Sequence, residues 1–247
     1  MSAETIKSAR RVFEILEFFE RERRPLSLKE ICERLAYPAS SGSVLLKSIV
    51  ALGYLDYDRA RKTYFPTMRI TALGAWAPGA LFGEGGVAQL MDHLHRATGE
   101  TVILAAQSDL HAQYVHLIHS AEPLQVAVPP GARRPLERSG MGWVLLGANP
   151  DAEIDKLRRR INAQPGRTEP RLTQKALMEK VNEARERGYA FSRHTVSEGA
   201  GIIAALLPRK PDARVFAIGV AGPVARLEPK EDMIVREIRA GIARLAA

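Results

Sequence analysis

The chain has 247 residues, of which 46% are hydrophobic, so it is long enough to bury the cores of one small and one medium domain. Its net charge of +8 and its pI of about 9.8 favour a polyanionic partner. No apolar run approaches the roughly 18 residues of a membrane-spanning helix, and the polar N-terminus lacks a secretory signal pattern. The single cysteine, Cys32, excludes an intramolecular disulfide. We therefore expect a cytoplasmic protein that does not associate with membranes.

Three amphipathic helices are predicted near the N-terminus. The first covers residues 8–19, where apolar residues recur at the spacing i, i+3, i+4 and i+7. Pro25 then stops helical propagation. The second helix covers residues 28–35, and Ser27 and Glu30 before and within it have the spacing of a capping box.

The third helix is predicted over residues 39–52. Either Ser40 or Ser41 can cap its start, and Gly53 occupies the position after its end, where a left-handed residue is favoured. The apolar positions of this helix are Val44, Leu45, Ile49 and Leu52.

A hairpin with a basic tip follows the third helix. Its strands are predicted at residues 54–58 and 63–66, and the tip between them carries Arg59, Arg61 and Lys62. Two short helices joined by a tight turn present the later helix to the major groove, and basic side chains beside it can contact phosphates. A generic three-helix bundle has no need of this hairpin. The layout predicts that residues 1–66 form a winged helix-turn-helix domain that binds double-stranded DNA.

The distribution of charge agrees with this prediction. Residues 1–75 carry 13 Lys and Arg against 9 Asp and Glu, whereas the other 172 residues carry 23 against 19. Both parts have a net charge of +4, so the N-terminal part is about twice as positive per residue.

The remainder of the chain predicts a linker helix and an α+β domain. The linker, at residues 67–80, contains a helix over 68–77 and an interruption at Pro78 and Gly79. In the domain at residues 81–247, helices are predicted at 81–98, from about 139, and at 151–161, 173–187 and 228–245. Strands are predicted at 101–107, 111–118, 124–128, 189–194, 201–207 and 215–220. The expected fold is therefore a mostly antiparallel sheet flanked by helices.

Several segments, in order and at matching spacing over the whole chain, resemble the IclR family of bacterial transcriptional regulators. They are RPLSL (24–28), LLKSIVALGYL (45–55), TGETV (98–102), RERGYA (185–190), SEG (197–199) with IAA (203–205), and GPVARL (222–227). The resemblance implies a homodimeric or homotetrameric repressor or activator. It also implies a GAF-like C-terminal domain that binds a small metabolite, often an organic or aromatic acid. A palindromic operator would mirror the two-fold axis of the dimer, and the linker helix would contribute to dimerisation.

The recognition helix departs from the family pattern, because family members often carry His-Arg at the positions of Ser43 and Val44 and Lys at the position of Ala39. Serine contacts phosphates or either base edge and discriminates weakly. We therefore expect the basic tip to supply much of the affinity. The predicted DNA contacts are Ser40, Ser41, Ser43 and Lys47 on the third helix and Arg59, Arg61 and Lys62 in the hairpin.

The resemblance places an effector carboxylate at the start of the helix after a basic loop, which is predicted here at residues 133–136. The matching backbone N–H groups here are those of Gly140, Met141 and Gly142, which follow Ser139. A helix N-terminus offers unpaired N–H donors and positive potential to an anion. From the residues alone, a capping serine and two packing glycines explain the same pattern.

Other pocket positions that are polar in the family correspond to Ser192, Ile202, Gly219 and Ala221. Fewer polar groups and smaller side chains predict a roomier and more hydrophobic cavity. The expected effector has one carboxylate and a bulky apolar or aromatic body. Further candidate contacts are Gln125, Trp143, Arg193 and His194.

An enzyme is disfavoured because the chain contains no nucleophile elbow, phosphate loop or dinucleotide fingerprint. The six histidines have no metal-binding spacing, and His93 and His95 point to different faces of a helix. We expect no catalytic residue, metal or cofactor. Two alternatives remain: an architectural DNA-binding protein, and a ligand-independent dimer whose effector pocket has degenerated.

Overall fold

The computed structural model describes residues 6–75, 86–126, 128–129, 131–166, 169–208 and 214–246. The chain divides into two compact units, Met1–Leu81 and Phe82–Ala247. Among the described residues, no helix combines the length and the apolar character needed to span a membrane.

The N-terminal unit contains the three predicted helices and the hairpin. Its elements are α1 (Lys7–Glu22), β1 (Leu26–Ser27), α2 (Leu28–Arg34), α3 (Ala39–Ala51), β2 (Leu55–Asp58), β3 (Thr63–Pro66) and α4 (Met68–Gly74). Strand β3 lies between β1 and β2 in an antiparallel sheet. The two-residue strand β1 was not predicted, because a strand of that length shows no alternation of side chains.

The buried face of α3 differs from the predicted one. Val44 and Leu52 are 66% and 61% exposed, whereas Leu46 and Ile49 are buried in the core. The rotation of the helix is set by its contact with α2, because the sulfur of Cys32 occupies the space that a Cβ at Gly42 would need. Close approach of the two helices at this glycine turns the face with Leu46 and Ile49 towards the core and leaves Val44 on the surface.

The predicted capping box at the start of α2 is present. The N–H and the hydroxyl of Ser27 donate to Glu30 Oε2 at 2.8 and 2.7 Å, and the Glu30 N–H donates to Ser27 Oγ. These hydrogen bonds, led by the one from the Ser27 backbone, lower the pKa of Glu30 to about 2. The predicted serine cap of α3 is wrong, because its N-cap is Pro38, which has no side-chain donor or acceptor.

Replacement of Ser27 by Ala is expected to lower the free energy of unfolding by about 1 kcal/mol at pH 7, the usual value of a lost N-cap. The pKa of Glu30 is depressed in the folded state, so its stabilising contribution is present above pH 4.5 and is lost as the pH falls towards 2. Urea unfolding followed by circular dichroism at several pH values measures both effects. Glu30→Gln is the control because it keeps an acceptor for Ser27 but cannot titrate. Equal pH dependence in the wild type and Glu30→Gln would contradict the assignment.

The C-terminal unit contains a six-stranded sheet in which every pairing is antiparallel, with the order β6-β5-β4-β9-β8-β7. Its strands are β4 (Thr101–Ser108), β5 (His111–Ile118), β6 (Arg133–Pro135), β7 (Ala190–Arg193), β8 (Ala200–Leu206) and β9 (Phe216–Pro223). Its α-helices are α5 (Gly86–Thr98), α6 (Gly140–Gly147), α7 (Asp151–Asn162), α8 (Gln174–Arg187), α9 (Val224–Leu227) and α10 (Glu231–Ala246). Short 3₁₀ turns precede α6 at Leu136–Arg138 and α10 at Glu228–Lys230.

Helices cover both faces of this sheet. Alternate residues of each strand point to opposite faces, so Ile103 and Ala105 pack with α6, α7 and α8, whereas Val102 and Leu104 pack with α5 and α10. The predicted α+β class, with an antiparallel sheet flanked by helices, is confirmed.

One predicted strand is absent from the described residues, and part of the predicted linker lies outside them. The strand predicted at residues 124–128 is wrong for its described residues, and β5 instead pairs with β6 inside the predicted basic loop. Pro129 and Pro130 follow the predicted strand and cannot donate to a ladder. In the linker, α4 covers the first part of the predicted helix. The interruption at Pro78 and Gly79 and the predicted start of the next helix at residue 81 lie outside the described residues.

Candidate functional site

The exposed face of α3 carries the side chains that were predicted to contact DNA from this helix. Ser40 and Lys47 are exposed on this face, and Ser41 and Ser43 are half-buried at its sides. Val44 lies between them and was not predicted as a contact. An isopropyl group at this position can pack against a thymine methyl in the major groove.

The hairpin tip projects three cations from a compact turn. Asp58 Oδ1 accepts hydrogen bonds from the N–H groups of Ala60 and Arg61 at 2.9 and 3.0 Å, and Lys62 adopts a left-handed φ of 54°. The Arg61 side chain is 79% exposed and lies 4.0 Å from the Asp58 carboxylate. Arg59 is exposed as well. The tip therefore offers guanidinium and ammonium groups to solvent.

A cleft of about 600 Å³ separates the start of α1 from the start of α3. Lys7 and Arg11 line it on one side, and Ser40 and Ser41 line it on the other. The Arg11 guanidinium lies 4.7 Å from the Tyr37 ring centroid, and its buried Nε has no hydrogen-bond partner among the described residues. We did not predict these two cations as contacts, although their i, i+4 spacing places them on one face of α1.

The start of α6 has the predicted cap. Ser139 Oγ accepts the Gly142 N–H and donates to the Pro135 carbonyl, both at 3.0 Å. The N–H groups of Gly140 and Met141 have no acceptor within the described part of the chain.

Gly140 and Gly142 at the start of α6 also pack closely, as the alternative interpretation expects. A Cβ at Gly140 would lie 3.1 Å from Ser192 Oγ, and the backbone of Leu136 leaves no room for one at Gly142. The packing role and the unpaired N–H donors therefore coexist at this helix end.

A small cavity borders the start of α6 on the same face of the sheet. Its volume is about 50 Å³, and its lining includes Ser139 and three predicted effector contacts, Ser192, Ile202 and Ala221. Ligand pockets usually measure about 300–1,000 Å³. The roomier cavity predicted from the small side chains is therefore not observed.

The cavity is small because two side chains occupy the space beside Gly219. A Cβ on this residue would lie 2.9 Å from Ile202 Cδ1 and 3.0 Å from Met141 Cε. The larger side chains of the neighbouring strand and helix thus fill the space that the glycine leaves.

The predicted contacts Gly140, Met141, Gly142 and Gly219 are not among the lining residues, and four further predicted contacts also lie outside the lining. Trp143 Nε1 donates to the Glu137 carbonyl at 2.9 Å, and Gln125 is exposed. The Arg193 guanidinium pairs with carboxylates of the turn and helix near residues 228–231 at 3.0 and 2.9 Å. His194 Nδ1 accepts the N–H of residue 199 at 3.0 Å.

Several polar residues of the lining were not predicted as effector contacts, and Tyr114 and Arg134 are the two with the largest side chains. Tyr114 on β5 is only 5% exposed, and burial raises the pKa of its phenol. The guanidinium of Arg134 on β6 lies 5.8 Å from the ring centroid of Tyr114. The basic loop was recognisable in the sequence, but the direction of each arginine depends on the pairing of β5 with β6.

The two histidines on α5 contact other groups of the protein. His93 Nε2 lies 2.8 Å from Glu237 Oε2, and His95 Nδ1 lies 3.0 Å from the Glu100 carbonyl. Within the described ranges, no three His, Cys, Asp or Glu side chains are grouped to hold a metal ion.

Two family models together match most of the chain. The model described as the IclR helix-turn-helix domain matches residues 8–59, and the model described as the bacterial transcriptional regulator IclR C-terminal matches residues 86–245.

Curated relatives match over nearly their whole length. The glycerol operon regulatory protein of Streptomyces griseus is 26% identical over 98% of this chain and 97% of its own. The transcriptional repressor IclR of Escherichia coli K12 is 23% identical over 90% of this chain and 82% of its own. These relatives are regulators, which confirms the expectation of a transcriptional regulator and not an enzyme.

Solved structures support the same assignment. The effector domain of a transcriptional regulator IclR from Acinetobacter sp. ADP1 is 30% identical, with a TM-score of 0.62 over 68% of this chain and 98% of that chain. The IclR of Thermotoga maritima shares the fold, with 16% identity and a TM-score of 0.70 over 98% of this chain and all of that one. The chain therefore belongs to the IclR family of bacterial transcriptional regulators, with a DNA-binding helix-turn-helix domain and a C-terminal effector domain.

Proposed function

We propose that this regulator acts in the bacterial cytoplasm and that a small organic acid bound in its C-terminal unit controls its affinity for an operator. The observation that carries the proposal is the start of α6, where the N–H groups of Gly140 and Met141 have no acceptor among the described residues and follow directly on Ser139, which lines a cavity. Unpaired donors at a helix N-terminus favour a carboxylate. The hydroxyls of Ser139 and Ser192 add polar groups to a mostly apolar wall.

The effector is proposed to have a bulky apolar or aromatic body. A cavity of about 50 Å³ has room for water but not for such a body. Binding therefore requires the side chains of Ile202 and Met141 to turn away from Gly219, which has no side chain to refill the space. A ligand that binds only the opened arrangement shifts the population towards it.

The DNA contacts are proposed on three adjoining features of the N-terminal unit. Helix α3 enters the major groove with Ser40, Ser41, Ser43, Val44 and Lys47. The hairpin tip binds phosphates through Arg59, Arg61 and Lys62, and Lys7 and Arg11 bind a further phosphate beside the start of α3. A homodimer, or a dimer of dimers, would place two such surfaces on a two-fold operator.

A second candidate is a ligand-independent dimeric DNA-binding protein with a degenerate pocket. The filled space above Gly219 favours it, because Ile202 and Met141 already pack there. The two candidates differ in whether an acid changes the affinity for DNA. In a sensor, the effector and operator affinities must be coupled reciprocally.

The test begins with native mass spectrometry of the purified protein, which reports the subunit count and any bound acid. Operator duplexes are then selected from random-sequence DNA, and their affinity is measured with and without aromatic and aliphatic carboxylates. We expect at least one acid to change the operator affinity by about 5- to 150-fold. Ser192→Val should weaken this response while leaving the affinity without acid unchanged. If no acid binds or alters DNA affinity, the ligand-independent alternative replaces the proposal.

A further inference from the structure

Arg134 is a cationic side chain in a mostly apolar cavity. In the pairing of β5 with β6, Arg134 lies opposite Ala112 and Arg133 lies opposite Gln113. Residues directly opposite each other in an antiparallel pair share a face. Ala112 belongs to the core on the α6 side of the sheet, so Arg134 is directed to that side, where it lines the cavity with Tyr114. Arg133 is directed to the other face and is exposed.

The charge of Arg134 is not compensated by an acidic side chain. It forms no ion pair with any residue in the described ranges, and its Nη1 donates only to a backbone carbonyl at 3.3 Å. Within the lining, its guanidinium also lies 5.8 Å from the ring centroid of the buried Tyr114. Arg134 is half-buried, and an ion pair with a ligand is screened less there than on the open surface. The planar guanidinium offers paired donors that fit a carboxylate.

We propose that the effector carries two anionic ends, one bound at the start of α6 and the other bound by Arg134 and Tyr114. This inference rests on the proposed function and names the class of acid: a dicarboxylic acid, with its apolar body between the two sites. The unpaired N–H groups of Gly140 and Met141 take one carboxylate, and the Arg134 guanidinium and the Tyr114 hydroxyl donate to the other. A monocarboxylate of the same skeleton leaves one of the two ends unpaired.

Calorimetry with matched pairs of acids tests the inference on the full chain. The pairs are terephthalate with benzoate and adipate with hexanoate, which differ only in the second carboxylate. At least one diacid is expected to bind the wild type about tenfold or more tightly than its partner, as a hydrogen bond to a charged group implies. Arg134→Gln should remove this preference, whereas Arg133→Gln, which takes the same charge from the opposite face, should retain it.

The outcomes separate the inference from the proposed function. If monoacids bind the wild type as tightly as diacids, or if Arg134→Gln keeps the diacid preference, the second anionic site is wrong and the acid sensor remains. If none of the four acids binds, the second anionic site is wrong, and the wider panel of carboxylates tested on operator affinity decides whether the acid sensor is wrong as well. The wild-type comparison needs no variant, so it decides the question even where Arg134→Gln fails to fold.

Discussion

Arg226→Ala is expected to lower the free energy of unfolding of the C-terminal unit by about 3–5 kcal/mol, the usual cost of leaving a buried charge without its partner. The Glu100 side chain is only 2% exposed, and Arg226 Nε and Nη2 donate to its two carboxylate oxygens at 2.6 and 2.7 Å. The carboxylate also lies against Gly222, where a Cβ would have no room. The alanine variant therefore leaves the buried Glu100 carboxylate without its cationic partner.

Urea unfolding of the full chain measures this loss, and two variants control it. Replacing both partners, by Glu100→Gln with Arg226→Met, removes the charges together and should cost much less than Arg226→Ala alone. Lys156→Ala breaks the exposed pair with Glu153 and should change stability by less than about 1 kcal/mol. A loss for Arg226→Ala no larger than that of Lys156→Ala would show that the ion pair is not a stabilising contact.

This ion pair also illustrates what the sequence could and could not predict. Glu100 and Arg226 fall in two of the segments that carry the family resemblance, TGETV and GPVARL, which lie far apart in the chain. Helices α5 and α10 end within one residue of their predicted ends, because periodicity and caps are local, whereas the short helix α9, which carries Arg226, was not predicted. Helix α8 ends at Arg187, as predicted, and Gly188 after it adopts a left-handed φ of 72°. No local pattern could reveal that the two segments meet.

The predictions that failed depend on contacts between elements. The rotation of α3 follows from close packing at Gly42, which turns Val44 outward. The cavity is small because Ile202 on one strand covers Gly219 on the next. The direction of Arg134 follows from the register of a three-residue edge strand. In each case the residue types were read correctly, but their neighbours are set by tertiary packing.

Replacement of Arg61 and Lys62 by Ala in the hairpin tip is expected to weaken binding to every DNA sequence by about 30-fold at about 0.15 M salt. Each phosphate contact contributes about 0.9 to the slope of log K against log salt, so the loss of two flattens the slope by about 1.8. At about 1 M salt counterion release contributes nothing, so the affinities of the variant and the wild type are expected to converge there. A slope difference of about 1.8 between about 1 M and about 0.15 M salt then corresponds to the 30-fold loss. Both side chains are exposed, and the closest carboxylate to Arg61 lies 4.0 Å away, so neither variant breaks a strong internal contact.

Fluorescence anisotropy titrations at several salt concentrations, with a selected operator and an unrelated duplex, measure this effect. Lys156→Ala with Lys175→Ala is the control, because it removes the same charge from exposed positions on α7 and α8 of the C-terminal unit. The control should keep the salt slope of the wild type, since loss of net charge alone does not remove a phosphate contact. An altered preference between the two duplexes with an unchanged slope would mean that the tip reads bases, because base contacts release no phosphate counterions.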